Sequence, residues 1–170
     1  MVDTTDFAPE FDAPLEYMRR TREYYLALGY DNPYRWAHYT DAPFTPLKKP
    51  LKDSTLALIS TAGLHRRGDR PFRPGDGSYR VIPAETPARD LVMSHISVNF
   101  DRTGFQQDHN VAFPIDRLRE LVDEGVIGSM ASMHYSFMGA FPPDAAEPHA
   151  QHLAGLLKQD AVDAALLVPV

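Results

Sequence analysis

Two histidines, His65 and His95, stand at or just past the carboxyl ends of apolar segments, and a third, His109, lies in the polar stretch Asp101-Arg-Thr-Gly-Phe-Gln-Gln-Asp-His-Asn110. Imidazole titrates near neutral pH, so His95 and His65 are the first candidates for proton transfer, with Asp101 as the accompanying carboxylate. Arg80 and Arg102 carry planar guanidinium forks that bind carboxylates through paired hydrogen bonds. Asp108, His109 and Asn110 add acceptors and donors for a small polar substrate. The same stretch also reads as a surface loop stabilised by its own aspartates, and that structural reading stands beside the functional one.

A metal site would need these carboxylates and imidazoles, with His95 and His134, to converge as nitrogen and oxygen ligands. The spacing matches no known ligand pattern, such as two histidines four apart on a helix, so no metal is assigned. A metal-dependent enzyme built on the His/Asp cluster is kept as an alternative. The chain has no cysteine, which excludes disulfides, thiolate metal sites and a cysteine nucleophile within these residues. Gly75-Asp76-Gly77 precedes a strand rather than a helix, so it lacks the context of a phosphate-binding loop.

Composition narrows the class. The chain has 170 residues with 44% hydrophobic residues, enough to bury a core in one domain. A formal net charge of −6 argues against a nucleic-acid partner, which would call for a basic face. No apolar run is long enough to span a membrane, and the acidic start does not read as a secretory signal. A cytoplasmic protein is expected. The fifteen prolines predict long, ordered, irregular connections.

The elements that must position these side chains follow from periodicity. Residues 1–13 read as a loose acidic arm. Pro14 to Leu28 reads as a helix stopped by Gly29, and Tyr30 to Pro50 as an irregular arm whose aromatics (Tyr34, Trp36, Tyr39, Phe44) pack within the chain. Residues 1–53 thus form an N-terminal arm with one helix, and 54–170 an α/β domain. In that domain strands are expected at Ser54–Thr61, near Arg80–Pro83, at Leu91–Val98, within Val126–Ser136, and at Ala164–Val170. Ala62 to His65 reads as a turn. Pro114–Glu124 and Glu147–Gln159 read as helices, with Pro142 and Pro143 as breaks between elements. Met130, Met133, Met138, Phe137 and Phe141 are expected to fill core space. Helices alternating with apolar strands predict a three-layer, largely parallel sheet of Rossmann-like or flavodoxin-like type, incomplete at its C-terminal side. Loops following parallel strands meet at one edge, which would gather His65, His95 and the 101–110 loop there.

Seven segments taken in order carry a resemblance: Ser60-Thr-Ala-Gly-Leu-His65, Gly75-Asp-Gly-Ser-Tyr-Arg-Val-Ile-Pro83, Ser94-His95, Asp101-Arg-Thr-Gly104, Asp108-His-Asn110, Phe113-Pro-Ile-Asp-Arg-Leu118 and Tyr135-Ser-Phe-Met-Gly-Ala140. From about residue 54 onward the chain resembles the selenoprotein B family of glycine, sarcosine, betaine and D-proline reductases. The resemblance implies an oxidoreductase subunit that cleaves a small amino-acid-like substrate reductively, alongside other subunits of a reductase complex. It implies that the strand resembling Ala164–Val170 leads into a selenocysteine, or a cysteine in some relatives, expected beyond Val170, and that a partner subunit holds a pyruvoyl group. No cofactor is expected within these residues themselves. A misread UGA codon, a shortened chain or a split gene would each leave the nucleophile out. The other reading is a binding or assembly module of the same fold without chemistry. An uncovered terminal strand predicts association, either with those subunits or as a homo-oligomer.

Overall fold

The computed structural model describes residues 16–30, 39–97 and 101–170. The arm at 1–13, Tyr34, Trp36 and the last residue of the expected strand at Leu91–Val98 fall outside them. The chain divides into two compact units, Met1–Ala42 and Pro43–Val170, so Pro43–Asp53 groups with the α/β unit rather than with the arm.

In the first unit, helix α1 spans Tyr17–Ala27. Its end is a Schellman motif. Gly29 takes φ +85°, its N–H donates to Leu26 O at 3.0 Å, and Tyr30 N–H donates to Tyr25 O at 3.2 Å. The Tyr25 and Tyr30 rings meet edge-on at 5.4 Å, the apolar contact that accompanies this motif. Tyr39 in this unit and Phe44 in the next are 72% and 85% exposed, so these two aromatics do not pack away as expected.

The second unit is mixed α/β with a mostly parallel sheet. Its central strand is β1 (Thr55–Ser60), a largely apolar run. β2 (Leu64–Arg66) and β4 (Leu91–Met93) form a separate antiparallel pair, with His65 opposite Val92. The expected turn at Ala62–His65 is therefore half strand. The expected strand at 91–98 stops early: the Ser94 N–H to Gly63 O bond is the last in register, because Gly63, at φ +68°, gives its own N–H to Phe137 O, and His95 Nδ1 then accepts from Ser97 N–H. β3 (Arg80–Pro83) runs antiparallel to β6 (Met133–Ser136), and β6 runs parallel to β1.

β5 (Ser129–Met130) lies on the same flank of β1 as β6, so the single strand expected within Val126–Ser136 is broken in two. The register explains the break. Leu56 pairs with Met130 and Ile59 with Tyr135, so four residues of one strand face two of the other. Inside this bulge the N–H of Leu58 donates to the Nδ1 of His134 at 3.0 Å. A side chain thus takes the place of a missing carbonyl in the ladder. On the other flank β7 (Ala164–Val168) runs parallel to β1 over five paired residues.

Alternation along β1 sorts the core. Leu56 and Leu58 pack with Phe113, Ile115 and Leu118, the last two from helix α3 (Ile115–Asp123). Ile59 packs with Tyr135, Phe137 and Leu153, the last from helix α4 (Pro143–Gln159). Pro143 occupies the first turn of α4. The prolines read as a break are thus a start signal, since a missing N–H costs nothing there. Met138 is fully buried and Phe137 nearly so, as expected of core fillers. The 101–110 stretch is a short helix α2 (Thr103–Gln107) followed by a turn of 3-10 helix at His109–Val111, not an irregular loop.

Candidate functional site

The carboxyl end of β1 is where the polar candidates gather. Ser60 Oγ–H donates to Ala112 O at 2.7 Å and accepts from Ala62 N–H at 3.1 Å, which ties the end of the strand to the turn carrying Asp108–Asn110. Thr61 Oγ accepts from Val170 N–H at 2.8 Å and donates to Val170 O at 3.2 Å. Gly63 follows at φ +68°, where a Cβ would lie 3.0 Å from the Cα and N of His95. Only glycine permits both that backbone conformation and that approach. The Gly63 carbonyl accepts from Ser94 N–H at 2.9 Å, so the β1 end and the His95 segment are held edge to edge.

His95 is buried, with 5% of its surface exposed. Its Nδ1 accepts from Ser97 N–H at 3.1 Å, which leaves the proton of the neutral ring on Nε2. Burial, and secondly the charge of Arg102, hold its pKa below the usual histidine value, so the ring is neutral at physiological pH. Arg102 donates to the carbonyl of His95 and, at 3.5 Å, to that of Ser97. Asp101 accepts from the N–H and hydroxyl of Thr103 at 2.9 and 2.7 Å, starting α2. Those hydrogen bonds, first the backbone one, keep its carboxylate ionised below the usual range.

The second half of the stretch makes a network at the start of α3. Asp108 caps its turn by accepting from Asn110 N–H at 2.9 Å, and this bond is the main cause of its lowered pKa. His109 Nε2 lies 3.0 Å from Asp116 Oδ2. Asn110 donates to the same oxygen at 3.1 Å and accepts from Asp116 N–H at 3.0 Å. Arg119 pairs with Asp116 and donates to Ala84 O. Burial raises the pKa of Asp116, but Asn110, His109 and Arg119 together outweigh it and hold the carboxylate ionised.

Two of the predicted residues stand apart. His65 is buried in β2, its Nδ1–H donating to Arg66 O at 2.9 Å while Nε2 has no hydrogen-bond partner among the described residues. Arg80 spends its guanidinium on its own loop: it bonds the carbonyls of Arg70 and Tyr79 at 2.8 and 3.1 Å, Ser78 Oγ at 2.8 Å and Asp76 at 2.8 Å. It also sits 4.1 Å over the Phe72 ring. It clamps the 70–80 loop rather than opening toward a substrate.

One residue outside the predicted set joins Arg102. Arg67, Leu91, Val92, Met93, Phe105 and Gln106 line with it a recess of about 290 Å³ between β4 and α2. Its signal in the sequence was only a cluster of arginines after β1. Arg67 also donates to Arg89 O at 2.9 Å, as Arg102 does to His95 O, and the N–H groups each has left beside an apolar lining suit a small carboxylate with an apolar body. Among the described residues no three His, Asp or Glu side chains are grouped as metal ligands, and no helix is long and apolar enough to cross a membrane.

Comparison with known proteins bears on the identity of this arrangement. The chain is 39% identical over 127 residues to D-proline reductase subunit gamma of Acetoanaerobium sticklandii, a match covering 73% of this chain and 52% of the relative. It is 30% identical over 131 residues to glycine reductase complex component B subunit gamma of Carboxydothermus hydrogenoformans, covering 74% of this chain and 30% of that relative. The chain therefore spans about half, or less, of the curated relatives it matches. No solved structure gives a significant match. Residues 76–170, which carry His95, the 101–110 stretch, α3 and β7, match the model of the glycine/sarcosine/betaine reductase selenoprotein B family, and the chain belongs to that family.

Proposed function

We propose that this chain is a component of a cytoplasmic reductase complex, and that the carboxyl end of β1 forms one wall of the site where a small amino-acid-like substrate is reductively cleaved. One observation carries the reading: His95, Arg102 and the Asp108–Ala112 turn are built onto the same strand end, Ser60–Gly63, that holds Val170. The selenol or thiol expected beyond Val170 would supply the nucleophile, and a partner's pyruvoyl group would hold the substrate's amine. The residues of this chain bind and orient. Arg102 and Arg67 hold the substrate carboxylate over the apolar floor of Leu91, Val92 and Met93. His95, neutral at working pH with its Nδ1 taken by Ser97 N–H, offers its Nε2 proton as a hydrogen-bond donor, and Asp101 fixes the turn that carries Arg102. The three-layer, Rossmann-like or flavodoxin-like reading is supported by α3 and α4 packing against alternate residues of β1.

The test is kinetic and uses the assembled complex. Arg102→Lys is expected to raise KM for the amino-acid substrate about tenfold or more, by losing a paired hydrogen bond worth about 1.4 kcal/mol or more. An unchanged KM would move substrate binding away from the recess. The 170-residue chain alone, having no thiol or selenol, is expected to show no turnover of glycine, its N-methyl derivatives or proline with a dithiol donor. Turnover would move the chemistry onto His95 and its neighbours. A second reading, an assembly module without chemistry, is favoured by how fully Arg80, Asp101 and Asp108 are committed to their own loops. It predicts that Arg102→Lys changes assembly and not KM.

A further inference from the structure

We propose that the free edge of β7 docks one further β-strand, supplied by polypeptide that corresponds to the part of the family chain with no counterpart here. The inference rests on family membership and not on the chemistry proposed above. β7 reads Ala164-Ala-Leu-Leu-Val168, without a charge, a proline or a bulge. That is the composition of a strand flanked on both sides, since edge strands are normally blunted by lysine, proline or distortion. Yet among the described residues β7 pairs only with β1. Thr61 N–H donates to Val168 O, so alternation through the paired register turns the amides of Ala165 and Leu167 outward. Leu166 and Leu167 are 38% and 67% exposed, and as neighbours in a strand they lie on opposite faces. The edge and both faces are therefore open together. A groove of about 560 Å³ between Phe44–Lys48 and Val162–Ala165 runs beside the strand, with Phe44 standing exposed on its lip.

Two observations choose the occupant. A second copy pairing β7 with β7 would add a ladder of only five residues, well short of the roughly 1,200 Å² that stable interfaces bury. The relatives, in contrast, carry a large part of their chains, about half in the D-proline reductase subunit, that this chain does not match. A strand with its own covering element, drawn from that part, closes the edge and both faces at once.

The experiment replaces the matched residues of D-proline reductase subunit gamma with this chain and compares hydrogen exchange of residues 164–168 in the chimaera and in the isolated chain. Exchange is expected to slow by about 100-fold or more in the chimaera, and Leu167→Lys is expected to restore fast exchange there while β1 stays protected. Equal exchange in both proteins with β1 protected would overturn the proposal. So would protection that survives Leu167→Lys, or protection in the isolated chain that grows with concentration, which would assign the edge to a second copy. Where β1 itself is unprotected in the chimaera, sedimentation of this chain mixed with the separately produced unmatched portion decides. A one-to-one complex lost in Leu167→Lys supports docking, and absence of binding at about 100 µM overturns it.

Discussion

At one margin of the sheet β3 reads Arg80-Val-Ile-Pro83, and at the other β7 reads Ala164-Ala-Leu-Leu-Val168. The first is a finished edge. Proline offers no N–H to a passing strand, and Arg80 is locked to Asp76 at 2.8 Å. Behind it, side chains complete the ladder: His134 takes the N–H of Leu58, and Ser136 Oγ takes that of Leu64 at 2.9 Å. On the other flank of β1 the backbone ladder continues through five regular pairs and stops at an apolar surface. The difference teaches that a margin is marked by the residues that close it. The β3 side has spent polar side chains on closing itself, and such closure is the mark of a margin that meets water.

The comparison breaks most readily at the exposed leucine. Leu167→Lys is expected to weaken assembly by about 100-fold or more, the size of effect seen when an interface anchor is lost. Val81→Lys on the finished edge is expected to change assembly less than about threefold, a surface substitution of ordinary size. Sedimentation of the two variants side by side checks the asymmetry, and equal effects would erase it.

The next largest effect lies at the bulge. His134 is fully buried, and burial, with a smaller contribution from the Arg119 charge, lowers its pKa from 6.5 to about 4. The unfolded chain therefore binds this proton more tightly than the folded one. Stability from His134 is complete above pH 6.5 and is lost as pH falls from there toward about 4, by on the order of 3 kcal/mol. His134→Phe keeps the bulk but leaves the Leu58 N–H without its acceptor, at a cost of about 1–3 kcal/mol at neutral pH. Urea unfolding across this pH range should show a shallower slope for the variant. Parallel curves for both proteins would remove His134 from the ladder.

Gly63→Ala is expected to cost about 1–3 kcal/mol, because a positive φ and a 3.0 Å approach to His95 must both be strained. Thermal unfolding measures the loss, and a change in the His95 imidazole resonances should accompany it. An unshifted spectrum would uncouple the β1 end from His95.

The smallest effect is a gain. α4 ends as α1 and α3 do, with Ala161 N–H donating to Lys158 O at 3.2 Å and Val162 N–H to Leu157 O at 2.9 Å. Gly29 and Gly125 fill the left-handed position after α1 and α3, but here Ala161 holds φ +53°. Ala161→Gly is expected to stabilise the fold by about 0.5–1 kcal/mol, the left-handed strain relieved less the entropy that glycine adds to the unfolded chain. It would also firm the approach to β7.

Where local chemistry decides an element, the sequence was legible. Apolar runs marked β1 and β7, the three- and four-residue spacing marked α3, and Gly125 marked its end. The ordered motifs from Ser60 to Ala140 were enough to indicate the family. Legibility failed where a distant partner supplies the deciding bond. β2 forms because β4 lies beside it, and the 91–98 strand stops because Gly63 gives its N–H to Phe137 instead of to the ladder. The strand at 126–136 divides because an imidazole stands in for a carbonyl. The same limit applies to the candidate residues. Residue type put Arg80 and Arg102 on equal terms, and only tertiary packing closed Arg80 into its own loop while leaving Arg102, which bonds the carbonyls of His95 and Ser97, on the lining of a recess with Arg67. A side chain's chemistry is written in the sequence, but its availability depends on which hydrogen-bond partners the fold has already brought within 3 Å, and those come from residues far away in the chain.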